Sequence, residues 1–272
     1  EYYPLEDNRF ELGGFSNLKS WLDRTKVGFS PEAKALNLTP PRGLMLVGVP
    51  GCGKSLAAKA IARGWQLPLL KLDAGRLFDK FVGESEKNFR KAIDMAESLA
   101  PIVLWIDEIE KALAAGGGNG EADGGLSRRL FGAFLTWLQE KKQEVFVVAT
   151  ANHLASLPPE LLRKGRFDEI FFVDLPEQSE REAIWKIHLG LRKQDPTRFD
   201  LPRIVGASEG FSGSEIEQAV VAGLYRALHQ KTALTTDLLQ EELALTVPLS
   251  ATRREDIEQL RTLAKGRFVN VR

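Results

Sequence analysis

The residues from Gly48 to Ser55 carry the clearest chemistry in this 272-residue chain. They read Gly-Val-Pro-Gly-Cys-Gly-Lys-Ser and fit G-x-x-x-x-G-K-[ST], with Gly48, Gly53, Lys54 and Ser55 in the fixed places. Glycines at this spacing let consecutive backbone N–H groups turn toward one point, and a following helix N-terminus adds positive partial charge there. Such a loop cradles phosphate oxygens. Pro50, Gly51, Cys52 and Gly53 form the loop, and Leu56 opens the helix behind it. Lys54 can reach the β- and γ-phosphates, and the Ser55 hydroxyl can hold Mg²⁺. The pattern implies a nucleoside triphosphate as ligand, with ATP and Mg²⁺ as the expected pair. Further groups add to it. Asp107-Glu108 closes an apolar run; alone it reads as a helix cap, but below a phosphate loop the first carboxylate suits a metal and the second suits an attacking water. Asn152 follows another apolar run, where an amide can orient that water or simply form a turn. Arg163 and Arg166, in Leu-Leu-Arg-Lys-Gly-Arg-Phe-Asp, read either as a solvated basic turn or as phosphate-directed guanidinium groups.

These groups need strands and helices to hold them. Apolar runs at 44–47, 68–73, 102–106, 145–150 and 169–173 predict five buried strands, with helices between them. The loop helix follows Ser55, an amphipathic helix is expected over Ser85–Leu99, and another over Leu126–Gln139 after the glycine-rich loop Gly116–Gly125. Strands apolar on both faces and alternating with helices predict an α/β fold with a parallel sheet covered on both sides. After Pro176 the pattern is helical only: a helix from a Ser179/Glu182 capping box to about His188, then 212–229, 235–242 and 250–264. The expected division is therefore a large α/β domain over 1–176, led by a polar arm, and an all-α lid domain over 177–272. Composition is that of a globular protein, 43% hydrophobic and 27% charged. Thirty-seven basic and 37 acidic residues cancel, which makes nucleic acid an unfavoured partner, and no apolar run approaches a membrane span. The single cysteine, Cys52, excludes a disulfide framework and points to a reducing, cytoplasmic compartment. The first residue is Glu1 rather than Met, which predicts an excised fragment.

Taken together, Gly48–Ser55, Ile102–Glu108, Asn152 and the Arg-Lys-Gly-Arg-Phe-Asp run resemble the AAA subfamily of AAA+ ATPases, of the FtsH, katanin, spastin and Cdc48 type. The resemblance extends from Leu12 to about His229. It is closer still to the AAA ATPases of cyanobacteria and plastid genomes known as hypothetical chloroplast open reading frames, through Thr246-Val247-Pro248-Leu249-Ser250 and Gly266-Arg267. It implies a P-loop NTPase with a five-stranded parallel sheet in the order 5-1-4-3-2, a helical lid, a separate N-terminal domain ahead of the ATPase, and assembly into a ring, usually a hexamer. It implies Walker A roles for Lys54 and Ser55, Walker B roles for Asp107 and Glu108, and a sensor role for Asn152. Arg163 and Arg166 would be arginine fingers acting on a neighbouring subunit. Gly13 and Gly14 resemble the turn over adenine, and Gly213-Ser214 the lid's adenine contact. His188 is similar in position to a ribose-side histidine, although a partly buried helix histidine reads equally well. Phe81, Val82 and Gly83 resemble a pore loop that grips polypeptide, with Phe81 as core anchor the alternative. The segment Gln139-Glu140-Lys141-Lys142-Gln143 departs from the Asp-Gly-Phe often found in the subfamily, and no HExxH motif is present.

The expected function is ATP hydrolysis to ADP and phosphate, coupled to remodelling or threading a protein substrate or adaptor of unknown identity, in a cyanobacterial cytosol or plastid stroma. An ATP-driven nucleic-acid remodeller and a nucleotide-gated scaffold are the alternatives.

Overall fold

The computed structural model describes residues 1–3, 12–73, 82–111, 121–163 and 165–272. Runs such as Leu44–Val47 and Val145–Ala151 put apolar side chains on both faces of the pleat, so each must be covered from two sides. The sheet is built accordingly from β1 (Tyr2–Tyr3), β2 (Gly43–Gly48), β3 (Leu69–Asp73), β4 (Ile102–Asp107), β5 (Val145–Ala151), β6 (Glu169–Val173) and β7 (Val269–Asn270). Their order is β1-β3-β4-β5-β2-β6-β7. All pairings are parallel except β1 with β3. The expected five-stranded parallel sheet is therefore corrected to a seven-stranded mixed one. The two additions are two-residue edge strands, too short to leave a periodic signal in the sequence.

The helices are α1 (Ser16–Lys26), α2 (Pro31–Ala35), α3 (Lys54–Trp65), α4 (Val82–Ser98), α5 (Glu121–Glu140), α6 (Gln178–Leu191), α7 (Leu201–Ala207), α8 (Gly213–His229), α9 (Thr236–Leu245), α10 (Leu249–Thr252) and α11 (Arg254–Ala264). On one sheet face Met45, Leu104, Ile106 and Val147 pack with Phe89 and Ile93 of α4 and Phe134 and Leu138 of α5. On the other, Leu46, Val103, Trp105 and Phe146 pack with Leu18 of α1 and Ala57, Ile61 and Trp65 of α3. A third core, built from Trp185, Leu189, Ile204, Ile216, Val220 and Leu239, belongs to α6–α9 and the connections between them. The chain then returns to the sheet: Ala264 joins the first face, Ile257 and Val271 join the second, and β7 pairs with β6. The separate helical core thus ends near Leu243, short of the 272 expected for the lid.

Several helix ends differ from the sequence reading. α6 is capped by Glu177 with Glu180, not Ser179 with Glu182, because the Glu180 carboxylate accepts from Glu177 N at 2.9 Å. α5 starts at Glu121, so the expected loop Gly116–Gly125 is helical in its last residues, while 112–120 lie outside the described residues. An apolar face of Phe131, Phe134, Leu135 and Leu138 outweighs the ~1 kcal/mol that each glycine costs a helix. The single helix expected over 250–264 is broken at Arg253, whose backbone (φ −126°, ψ 39°) separates α10 from α11. α7 adds a short helix beyond those the sequence pattern predicts; Asp200 caps it by accepting from Arg203 N at 3.1 Å.

The helical core offers a direct test. Trp185 is fully buried and donates from Nε1 to Ser208 Oγ at 3.0 Å, and Ser208 donates in turn to Val205 O. Trp185→Ala removes a large side chain and one of these partners, and is expected to cost about 3–5 kcal/mol. Urea unfolding followed by circular dichroism measures it; a loss below about 1 kcal/mol would show that this core does not rest on Trp185.

Candidate functional site

The phosphate-type loop joins β2 to α3. Gly48 sits at φ 145°, in register with Val173 of β6, and a Cβ there would lie 2.0 Å from Val173 O. Gly51 (φ 74°) and Gly53 (φ 90°) take the left-handed conformations that turn the chain into the helix. Gly53 N-caps α3 with no side-chain bond, leaving first-turn N–H groups uncapped by any side chain. Lys54 is only 6% exposed, and its Nζ donates back to Gly48 O at 2.8 Å and Val49 O at 2.7 Å. Burial pushes its pKa down to about 8.

Beside the loop, the ends of β4 and β5 bring an acidic group together. Thr150 Oγ1 donates to Asp107 Oδ1 at 2.8 Å and accepts from Glu108 N at 3.1 Å. Ser55 Oγ reaches the same Asp107 oxygen at 3.3 Å, while Lys71 Nζ of β3 lies 2.9 Å from Oδ2. Glu108 sits at φ 49°, a left-handed conformation that costs a residue with a side chain about 1–3 kcal/mol and is held here by the Thr150 bond. Its Oε1 accepts from Asn152 Nδ2 at 3.0 Å, and Lys111 pairs with its Oε2. Asn152 is fixed from behind, because its N–H donates to Glu110 Oε1 at 2.8 Å. Glu110 is 5% exposed, and burial pushes its carboxyl above the usual range. Asp107, Glu108, Asn152 and Ser55 therefore converge as expected; Thr150, Lys71, Lys111 and Glu110 were missed by the sequence reading. Contacts between the ends of neighbouring strands single out Thr150, Lys71 and Glu110, and a local i,i+3 pair with Glu108 singles out Lys111.

The opposite wall comes from the helical part. Ser214 donates to Gly51 O from both its backbone N and its Oγ, each at 3.0 Å. A Cβ on Gly13 would meet Ile184 of α6 at 3.0 Å, and one on Gly14 (φ 82°) would meet the Glu180 carboxylate at 2.3 Å. Between these walls lies a cavity of about 1020 Å³, at the large end of the usual range for a ligand site. Gly13, Pro50–Leu56, Asp107, Glu108, Asn152, His188, Gly213 and Ser214 all line it. His188 stands near Arg192 and Glu217, with Arg192 Nη2 donating to Glu217 Oε1 at 2.6 Å. Burial lowers the His188 pKa, Glu217 opposes and Arg192 adds to the shift.

A sequence profile of the ATPase family associated with various cellular activities (AAA) matches residues 44–175, from β2 to just beyond β6. The uncharacterised AAA domain-containing protein ycf46 of Pyropia yezoensis is 46% identical over 265 residues, covering 97% of this chain. Its counterpart in Guillardia theta is 47% identical over 267 residues, covering 98%. Residues 44–175 of the chain belong to the AAA family. It spans about half the length of the curated relatives it matches, 54% and 52% respectively. The crystal structure of the FIGL-1 AAA domain has the same fold, with a TM-score of 0.79 at 21% identity, covering 98% of this chain and 92% of its own.

The AAA-type arginine run divides in two. Phe167 is buried in the first sheet face, and Asp168 Oδ2 accepts from Arg42 N at 2.6 Å and Gly43 N at 2.9 Å, anchoring the start of β2. Arg166 Nη1 donates to Leu135 O at 3.2 Å and bonds Gln139. Neither Arg163 nor Arg166 lines the cavity of its own chain. Of the pore-type residues, Phe81 lies outside the described residues, whereas Val82 and Gly83 are the opening of α4 rather than part of a loop. Gly14 touches Glu180 rather than lining the cavity. Among the described residues, no helix is long and apolar enough to cross a membrane.

The depressed Lys54 pKa carries a pH signature. Burial pushes the Cys52 thiol up to about 12, which lowers stability as pH rises; at Lys54, between about 8 and the ordinary 10.5, the unfolded chain binds more protons than the folded one, so this lysine's contribution to stability rises with pH across that window. Lys141, also pushed down to about 8 by burial, acts in the same direction. Urea midpoints from pH 7.5 to 10 for the parent and Lys54→Met should therefore diverge, with the shallower rise in Lys54→Met. Parallel curves would mean that Lys54 is charged throughout.

Proposed function

We propose that this chain is the motor part of a Mg²⁺-dependent ATPase that couples hydrolysis to remodelling or threading a protein substrate in a ring of subunits, usually a hexamer. The observation that carries the reading is the Glu108 carboxylate held 3.0 Å from Asn152 Nδ2 on the wall that also bears Lys54 and Ser55. In this reading the loop and Lys54 bind the phosphates of ATP. Glu108 accepts a proton from the attacking water, and Asn152 keeps its carboxylate aimed. The donor set suits Mg²⁺: Ser55 Oγ and the Asp107 carboxylate are oxygen ligands 3.3 Å apart, and no cage of three or more His, Cys, Asp or Glu exists among the described residues. Magnesium is commonly held in that way, by one or two protein oxygens plus substrate phosphates. When bound it would neutralise charge on the phosphate oxygens.

The helical part serves as the lid in this proposal. Gly13 and Gly213, which line the cavity, would face the purine and His188 the ribose, and Ser214, which donates to Gly51 O, would couple the lid to the loop. Arg163 and Arg166 act on a neighbouring subunit's phosphates, a reading supported by their absence from their own cavity lining. For Arg166 this requires exchange of its bonds to Leu135 and Gln139. Phe81 to Gly83 would grip the polypeptide. Equal numbers of acidic and basic residues favour protein over nucleic acid as substrate. The proposed compartment is a cyanobacterial cytosol or plastid stroma.

Glu108→Gln is expected to keep ATP affinity and lose about 10²–10⁴-fold in turnover, measured by phosphate release beside fluorescent-nucleotide binding. Turnover at the parental rate would remove Glu108 from the mechanism. For the ring, mixing Arg166→Ala subunits with Lys54→Ala subunits should recover part of the activity that each lacks alone. No recovery in mixtures shown by mass measurement to co-assemble would overturn action between subunits.

A further inference from the structure

Asp107 is shared between hydroxyls and an ammonium. Oδ1 accepts from Thr150 and Ser55, while Oδ2 faces Lys71 Nζ at 2.9 Å. The strand register explains how Lys71 arrives there. Lys71 pairs with Trp105 and Asp73 with Asp107, and the two-residue pleat period places Lys71, Asp73, Trp105 and Asp107 on one face. Lys71 Nζ also lies 4.3 Å from the Trp105 ring centroid, so an aromatic face steadies the cation while its N–H bonds the carboxylate. From the other side its backbone is held by Glu1, the residue before β1: Lys71 N donates to Glu1 O at 2.7 Å, and Glu1 N donates to Lys71 O at 2.8 Å. The side chains of Lys71 and Asp107 are only 25% and 21% exposed, which limits solvent screening of the pair.

We infer that Lys71 is a resident counter-cation of the metal position, competing with Mg²⁺ for the Asp107 carboxylate. The inference rests on the proposal that Ser55 and Asp107 hold Mg²⁺. A monovalent ammonium on Oδ2 satisfies Asp107 beside the like charge of Asp73, and it lowers the affinity of the carboxylate for free metal. Mg²⁺ then binds well only with the nucleotide's phosphates, which bring several more oxygens and the negative charge to outbid a single ammonium. Lys71 thereby tunes the coupling between metal and nucleotide.

The test uses the whole chain, a fluorescent ADP analogue, and Lys71→Gln and Lys71→Arg variants. Titrating Mg²⁺ at fixed nucleotide gives the metal concentration at half-maximal binding. Lys71→Gln is expected to lower it about tenfold, because a like charge close to the metal position is removed, whereas Lys71→Arg keeps it near the parental value. Mn²⁺ binding to nucleotide-free protein, read by electron paramagnetic resonance, should tighten in Lys71→Gln in parallel. An unchanged or higher metal requirement in Lys71→Gln, with parental nucleotide affinity in EDTA showing an intact fold, overturns the counter-cation. A parent chain whose nucleotide binding ignores Mg²⁺ overturns instead the metal reading on which it rests.

Discussion

One hydroxyl holds the acidic wall in shape. Thr150 Oγ1 accepts from Glu108 N and donates to Asp107 Oδ1, and Thr150 O accepts from Ile109 N. β4 and β5 are thereby tied where both strands end, and Glu108 is kept in a left-handed conformation that its side chain disfavours. The bond forms because the strands are parallel and in register, with Ile106 opposite Ala149, so their C-terminal ends finish side by side. A parallel sheet buried on both faces has little freedom to slip, and that rigidity is transmitted to Asp107, Glu108 and Asn152.

The other wall is set by contact between units that have separate cores. Ser214 at the start of α8 donates twice to Gly51 O, so the first turn of a helix in the third core fixes a carbonyl of the phosphate-type loop. Gly13 and Gly14 permit close approach of the segment before α1 to α6, since a larger residue would meet Ile184 or Glu180. Chain 249–272 adds a second connection, because Glu215 of α8 accepts from Leu249 N at 2.7 Å and Arg261 bonds Asp174 at the end of β6. The helical core is thus linked to the sheet both through the cavity and behind it.

Two lysines at the site are handled differently. Lys54 is drawn into the loop, where two carbonyls stand in for solvent and burial lowers its pKa. Lys71 stays partly exposed and meets a full negative charge. Burial away from water, with carbonyl dipoles rather than a full opposite charge as partners, accounts for the depressed pKa of Lys54.

The sequence alone determined the apolar strands and the loop, because these depend on local patterns: runs apolar on both faces, glycines where φ must be positive, and Lys-Ser at a fixed offset from them. Asp107, Glu108 and Asn152 were legible for the same reason, since Asp107 ends a buried strand and Glu108 and Asn152 directly follow one. Only the tertiary structure decided what those residues touch. Thr150, Lys71 and Glu110 sit in ordinary strand or post-strand positions, and their partners lie 43, 36 and 42 residues away, distances that no periodicity encodes. The edge strands β1 and β7 were likewise decided by pairing, as two residues become a strand only when a neighbour supplies the ladder. The caps of α6 and the length of α5 were settled by a reaching carboxylate and a packed apolar face, which overrode the local preferences of serine and glycine.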